Sequence, residues 1–95
     1  MVIAEFSVTP VVGESMTPYI DAAINVVKES GLKFEVDALS TTIEGDLDQV
    51  LEVIGKAHRA ALRAGAKRVL TGIQIDERES AVSIEQQLEG YRAAI

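Results

Sequence analysis

The chain is 95 residues long, 47% apolar and 25% charged, with fifteen acidic against nine basic side chains, a net charge of −6, and neither cysteine nor tryptophan. That length builds one domain around a single modest core. The missing cysteines exclude disulfides, thiolate metal sites and a cysteine nucleophile, and an acidic surface without a basic stripe argues against a nucleic-acid partner.

Val2 to Thr9 reads as the first strand. Val2, Ala4, Phe6 and Val8 alternate with Ile3, Glu5, Ser7 and Thr9, the two-residue period of a half-buried strand, and Pro10 closes it. Val11 to Ser15 is a loop. Thr17 before Pro18 predicts a helix entry capped by the threonine hydroxyl. Ile20, Ala23, Ile24 and Val27 then mark an apolar stripe that packs on a sheet, and Ser30-Gly31 ends the helix.

Phe34 to Asp46, FEVDALSTTIEGD, is the hinge of the chain. It predicts a hairpin with strands near 33–39 and 41–45, followed by a helix entry at Asp46 with Gln49 in capping-box spacing. Leu47, Val50, Leu51, Ile54, Ala57, His58, Ala61 and Leu62 form the second stripe, which Gly65 stops. Ala66 to Asp76 is the fourth strand, with Val69, Thr71, Ile73 and Ile75 on one face. After the charged DERES connection, Ser83 and Gln86 form a second capping box, and Ile84, Leu88, Tyr91 and Ile95 make a narrow seam. The pattern is βαββαβ, a ferredoxin-like α+β fold with an antiparallel sheet, two covering helices and an extra C-terminal helix over 78–95. The thin seam predicts that this last helix contacts another subunit; the alternative is that it folds back on its own domain.

Two helices cover one face of the sheet. The other face carries Ile3, Glu5, Ser7, Thr9, Glu35, Asp37, Thr42, Glu44, Arg68, Leu70 and Gln74, with Leu39 interspersed. It is either a solvated face or an interface enclosing a polar pocket, and its excess of carboxylates favours a cation. Nucleotide-binding, zinc-protease and serine-hydrolase motifs are all missing. His58, the one histidine, reads as a partly buried helix residue with a local partner rather than a ligand donor. Asp37 and Glu44 are placed to meet across the hairpin, where paired carboxylates serve acid–base chemistry or stand solvated. Ser7, Thr41 and Thr42 are hydroxyls of the kind that orient a heteroaromatic ring, and equally ordinary strand residues. No apolar run reaches the roughly 18 residues of a membrane span, and Met1 leads into strand without a basic leader, so a cytoplasmic protein with no membrane partner is expected.

VTPVVG, SMTPY, ESGLKFEV, TTIEGD, AHRAAL, AGAKRV and IDER occur in this order along nearly the whole chain. In this the sequence resembles the small thiamine-binding proteins of the MTH1187/YkoF-like group. Thr41, Ile43, Glu44 and Gly45 match that family's T-x-I-E-G motif, and Asp76 and Arg78 its I-D-x-R; Ala38-Leu39-Ser40 stands where relatives often carry a proline-methionine-glycine turn. The resemblance implies a ferredoxin-like fold, a homodimer or homotetramer, and non-enzymatic binding of thiamine or its hydroxymethylpyrimidine moiety as carrier, buffer or sensor, with no other cofactor and no metal. Ser7, Asp37, Thr41, Thr42 and Glu44 are then the expected ligand-binding residues. The competing reading is a regulatory oligomeric module for another small metabolite or a protein partner. An enzyme using Glu44 or Asp37 as base comes third.

Overall fold

A computed structural model describes residues 1–79 and 83–89. Four strands and three helices follow in the order β1 (Val2–Pro10), α1 (Thr17–Glu29), β2 (Lys33–Val36), β3 (Thr41–Gly45), α2 (Leu47–Arg63), β4 (Val69–Asp76) and α3 (Ile84–Leu88). The strands form one antiparallel sheet in the order β2-β3-β1-β4. The ferredoxin-like α+β fold expected from the alternating periods is therefore present. Its core lies between the sheet and the two long helices: Val2, Ala4, Phe6 and Ile43 from the strands meet Ala23 and Val27 of α1 and Val50, Val53, Ile54 and Ala57 of α2. The register confirms the pleat, because directly opposed residues share a face. Ile3 opposes Glu44 and Asp76, and Glu5 opposes Thr42 and Gln74, all on the open face.

Several local expectations are corrected. The helix α1 begins one residue early, with Met16 at the N-cap and no side-chain cap. Thr17 instead takes part in a local cluster, its N–H donating to Ser15 Oγ at 3.3 Å. Asp46 occupies the N-cap of α2 without making the side-chain bond that its spacing with Gln49 suggested. The strand β2 stops at Val36 rather than near residue 39, because Asp37 N–H donates to the Ser40 carbonyl at 2.9 Å and closes a four-residue turn. Leu39 sits at its tip, 91% exposed and on neither sheet face. The strand β4 starts at Val69, not Ala66. Gly31 and Gly65, each just past a helix, take positive φ angles of 76° and 119°, a conformation that side-chain-bearing residues adopt at a cost.

The capping box of α3 forms as its sequence indicates. Ser83 Oγ accepts from Gln86 N–H, and Gln86 Oε1 accepts from Ser83 N–H. The described part of this helix, however, lies on its own domain: Ile84 is buried at 2% exposure, its N–H donates to Glu44 Oε2 at 3.3 Å, and Glu85 pairs with Lys33 of β2. The remainder of the expected helix, including Tyr91 and Ile95 of its seam, lies outside the described residues.

One detail of register shapes both edges of β1. Val11 N–H donates to the Arg68 carbonyl at 2.8 Å. Since hydrogen-bonded and non-bonded pairs alternate along an antiparallel ladder, Thr9, Ser7, Glu5 and Ile3 turn their backbone groups toward β4. The groups of Phe6, Ala4 and Val2 turn toward β3. Pro10, lacking an N–H, falls at a position that β4 does not need. The chain tolerates a proline in a central strand for that reason.

Candidate functional site

The strand β3 opposes β1 only from Gly45↔Val2 to Thr41↔Phe6, while β1 runs on to Pro10 beside β4. The β2–β3 turn bends away at this point and leaves a notch in the sheet. Val8 turns its N–H and C=O toward the notch, by the alternation described above, with no ladder partner on that side. The N-terminal half of α1 roofs the notch with Met16, Ile20, Ala23 and Ile24, and the turn walls it with residues 36–41. This half-open cavity has a volume of about 190 Å³. A shallower depression of about 230 Å³ continues on the open face, sharing Phe6, Ser7 and Ser40 and reaching Glu5, Gly72 and Gln74.

The walls are apolar with polar groups at one end, the ordinary make-up of a small-molecule site. Ser7, Thr9, Ser40 and Thr41 bring hydroxyls, and Asp37 brings a carboxylate at the exposed turn. Ser40 Oγ donates to Glu5 Oε2 at 3.1 Å, which draws a second carboxylate to the open end. No lysine or arginine lines either depression. The field there favours a cation or a neutral ligand over an anion. Outside the cavity lining, Glu14 accepts a short hydrogen bond from the Tyr19 hydroxyl, tying the β1–α1 loop to the helix. That bond is the main reason the Tyr19 pKa lies above its ordinary value, with burial and the Glu14 charge adding to it.

Of the five expected residues, the structure brings Ser7, Asp37 and Thr41 together around the cavity. It places Thr42 and Glu44 elsewhere. Neighbours in a strand point to opposite faces, so Thr41 is buried on the helix side while Thr42 lies on the open face, in a separate depression with Ile3, Glu5, Gln74 and Gln87. Glu44 is buried under α3 as the acceptor for Ile84 N–H. The expected meeting of Asp37 and Glu44 does not occur. Glu44 opposes Lys33, four strand residues or about 13 Å from Asp37. His58 has the local partner expected of it, with Nδ1 2.6 Å from Thr71 Oγ1. Among the described residues no cluster of acidic, histidine or cysteine side chains is arranged to hold a metal.

Thr9, Ser40 and the main chain of Val8 were not singled out from sequence. Thr9 and Ser40 are small polar residues of an ordinary kind, and a backbone group carries no letter in the sequence. Only the register shows that it faces a gap.

A profile described as thiamine-binding protein matches residues 4–92. The chain belongs to the thiamine-binding protein family. A UPF0045 protein of Methanocaldococcus jannaschii is 39% identical over 89 residues, covering 92% of this chain and 88% of its own. A second, from Methanothermobacter thermautotrophicus, is 36% identical over 84 residues and 85% of each chain. Among solved structures, a domain of unknown function from Bacillus cereus superposes with a TM-score of 0.91 at 39% identity, over 98% of this chain and 91% of that one. A Thermotoga maritima protein provisionally assigned to thiamine biosynthesis or salvage superposes with a TM-score of 0.87 at 28% identity, over 96% and 98%. Membership in this family indicates a small-molecule ligand and a binding role. Among the described residues no helix is long and apolar enough to cross a membrane.

Proposed function

We propose that the protein binds thiamine through its pyrimidine ring in the notch between β1, the β2–β3 turn and α1, without catalysing a reaction on it. The observation that carries this reading is the joining of an apolar slot, an unpartnered strand backbone and a carboxylate, in a cavity free of basic residues. The pyrimidine of thiamine presents an amino donor beside a ring-nitrogen acceptor. Val8, with C=O and N–H on one side, offers the complementary acceptor and donor. Ile20, Ile24 and Phe6 supply apolar contact to the ring, Ser7 and Thr41 supply hydroxyls, and Asp37 stands where a thiazolium charge can be balanced. The family profile and the Thermotoga maritima relative support the choice of ligand.

Binding of the free hydroxymethylpyrimidine fragment follows from the same contacts, with lower affinity because the cation is missing. A carrier, buffer or sensor of the vitamin in the cytoplasm, working as a homo-oligomer, is the role that fits a ligand site without a nucleophile or a paired acid and base. Calorimetric titration with thiamine and with hydroxymethylpyrimidine tests the reading. Micromolar binding of both, thiamine tighter, is the expected result. A folded protein that binds neither contradicts it and favours a regulatory module for another ligand.

A further inference from the structure

Packing and hydrogen bonds fix the roof of the cavity and its polar end, but one apolar side chain at its rim is held by neither. Leu39 lines the cavity from the tip of the Asp37–Ser40 turn and is 91% exposed. The other exposed large apolar side chains among the described residues lie between 38% and 55%. Two of these, Met16 and Val36, line the same cavity from the entry of α1 and the end of β2. A leucine standing almost wholly in water contributes almost nothing to the fold. The turn that carries it is nevertheless tied at both legs: Asp37 N–H donates to the Ser40 carbonyl at 2.9 Å, and Ser40 Oγ donates to Glu5 Oε2 at 3.1 Å. The backbone thus holds an unpacked apolar side chain at the rim of an apolar slot.

We infer that Leu39 closes over the ring of the bound ligand, as an apolar clasp opposed by the α1 side of the slot. This rests on the binding reading above and adds a contact residue to it. A planar ring joined edge-on to the N–H and C=O of Val8 lies close to the plane of the sheet, because those groups do. Phe6, Ile20 and Ile24 then cover the ring face turned to the helices. The face turned away meets Ser7 and Ser40 and, beyond them, the shallow depression and water. Leu39 is the lining side chain with the most surface left to give, and it has almost no packing to break. A change of rotamer moves its methyl groups and leaves the turn in place. Burying a leucine gains roughly two to three times what fixing its side-chain torsions costs, so closing over the ring is favourable.

Leu39 and Asp37, two residues apart on one turn, then have separable work. Asp37 answers a positive charge and acts on thiamine alone. Leu39 touches the pyrimidine that thiamine and hydroxymethylpyrimidine share, so it acts on both. Because the clasp closes after the ring has entered, it slows departure more than entry, which is where most differences in affinity arise. Methionine reaches as far as leucine and packs on a ring with its thioether, so it can serve in the same place; alanine cannot.

Calorimetry with thiamine and with hydroxymethylpyrimidine tests this on the native chain, Leu39→Ala and Leu39→Met, with dissociation rates from NMR exchange. Leu39→Ala is expected to weaken both ligands about tenfold, mainly by faster dissociation, with the melting temperature of the free protein unchanged. Leu39→Met is expected to keep both affinities within about threefold of the native ones. A further readout needs no variant: the Leu39 methyl protons of the native chain shift upfield on saturation with thiamine, as they come to lie over the ring. Native binding that Leu39→Ala leaves unchanged, or methyl protons that do not move, overturns the clasp and leaves the binding reading standing. So does a loss confined to thiamine, which places Leu39 beside the charge rather than the shared ring. A drop in assembly mass with affinity intact also overturns it, since Leu39 is then a contact between copies. A native chain that binds neither ligand removes the binding reading and the clasp together.

Discussion

Asp37 and Glu44 are both strand-end carboxylates, yet their surroundings give them different work. Asp37 stands exposed at a turn on the rim of the cavity, while Glu44 is buried and accepts from the first N–H of α3. Asp37→Asn is expected to weaken thiamine about tenfold, the low end of what a charge-assisted contact contributes, and to leave hydroxymethylpyrimidine nearly unchanged; calorimetry with both ligands measures this. Glu44→Ala is expected to lower stability by about 1–2 kcal/mol, since it orphans a buried donor, with thiamine affinity unaltered. Denaturant unfolding and one titration check both halves. Tyr19 offers a pH test. Its folded pKa is raised, so the bond to Glu14 contributes fully below the unfolded value of 10.0 and is lost as pH rises through the folded value. Spectroscopic titration of the phenol is expected to show a late midpoint that returns toward the ordinary value in Glu14→Gln.

Elements were legible where one periodicity decided them, and less so where tertiary contact did. The two-residue alternation of Val2–Thr9 and the stripe through Ala23 and Val27 pointed directly to β1 and α1. The N-cap of α1 was misplaced by one residue, and Asp46 took the expected N-cap of α2 without the expected side-chain bond, because spacing shows only that a bond can form. Hairpin length was overestimated for a similar reason: Asp37-Ala38-Leu39 continues an alternation that the Asp37–Ser40 backbone bond interrupts. The narrow seam of α3 suggested a partner, and its first residue, Ile84, found one in its own sheet. Ile84→Ala is expected to cost about 2–4 kcal/mol, the usual range for emptying a buried isoleucine site. A thermal melt with a markedly smaller loss would indicate that α3 contributes little to the fold.

At the scale of the molecule, the site depends on a mismatch of strand lengths that no single residue announces. Face assignment from alternation correctly put Ser7 and Thr42 on one side, but it could not show that β3 ends opposite Phe6. Ser7, Asp37 and Thr41 therefore meet at the gap, and Thr42 does not. The central claim is that thiamine occupies this gap rather than the open face near Thr42 and Glu44, and an amide NMR titration with thiamine tests it most directly. The account predicts that the largest shifts fall on Ser7, Val8 and residues 37–41, with Thr42, Glu44 and Gln87 little changed. Shifts centred on Thr42, Glu44 and Gln87, with Val8 and the turn unmoved, would contradict it.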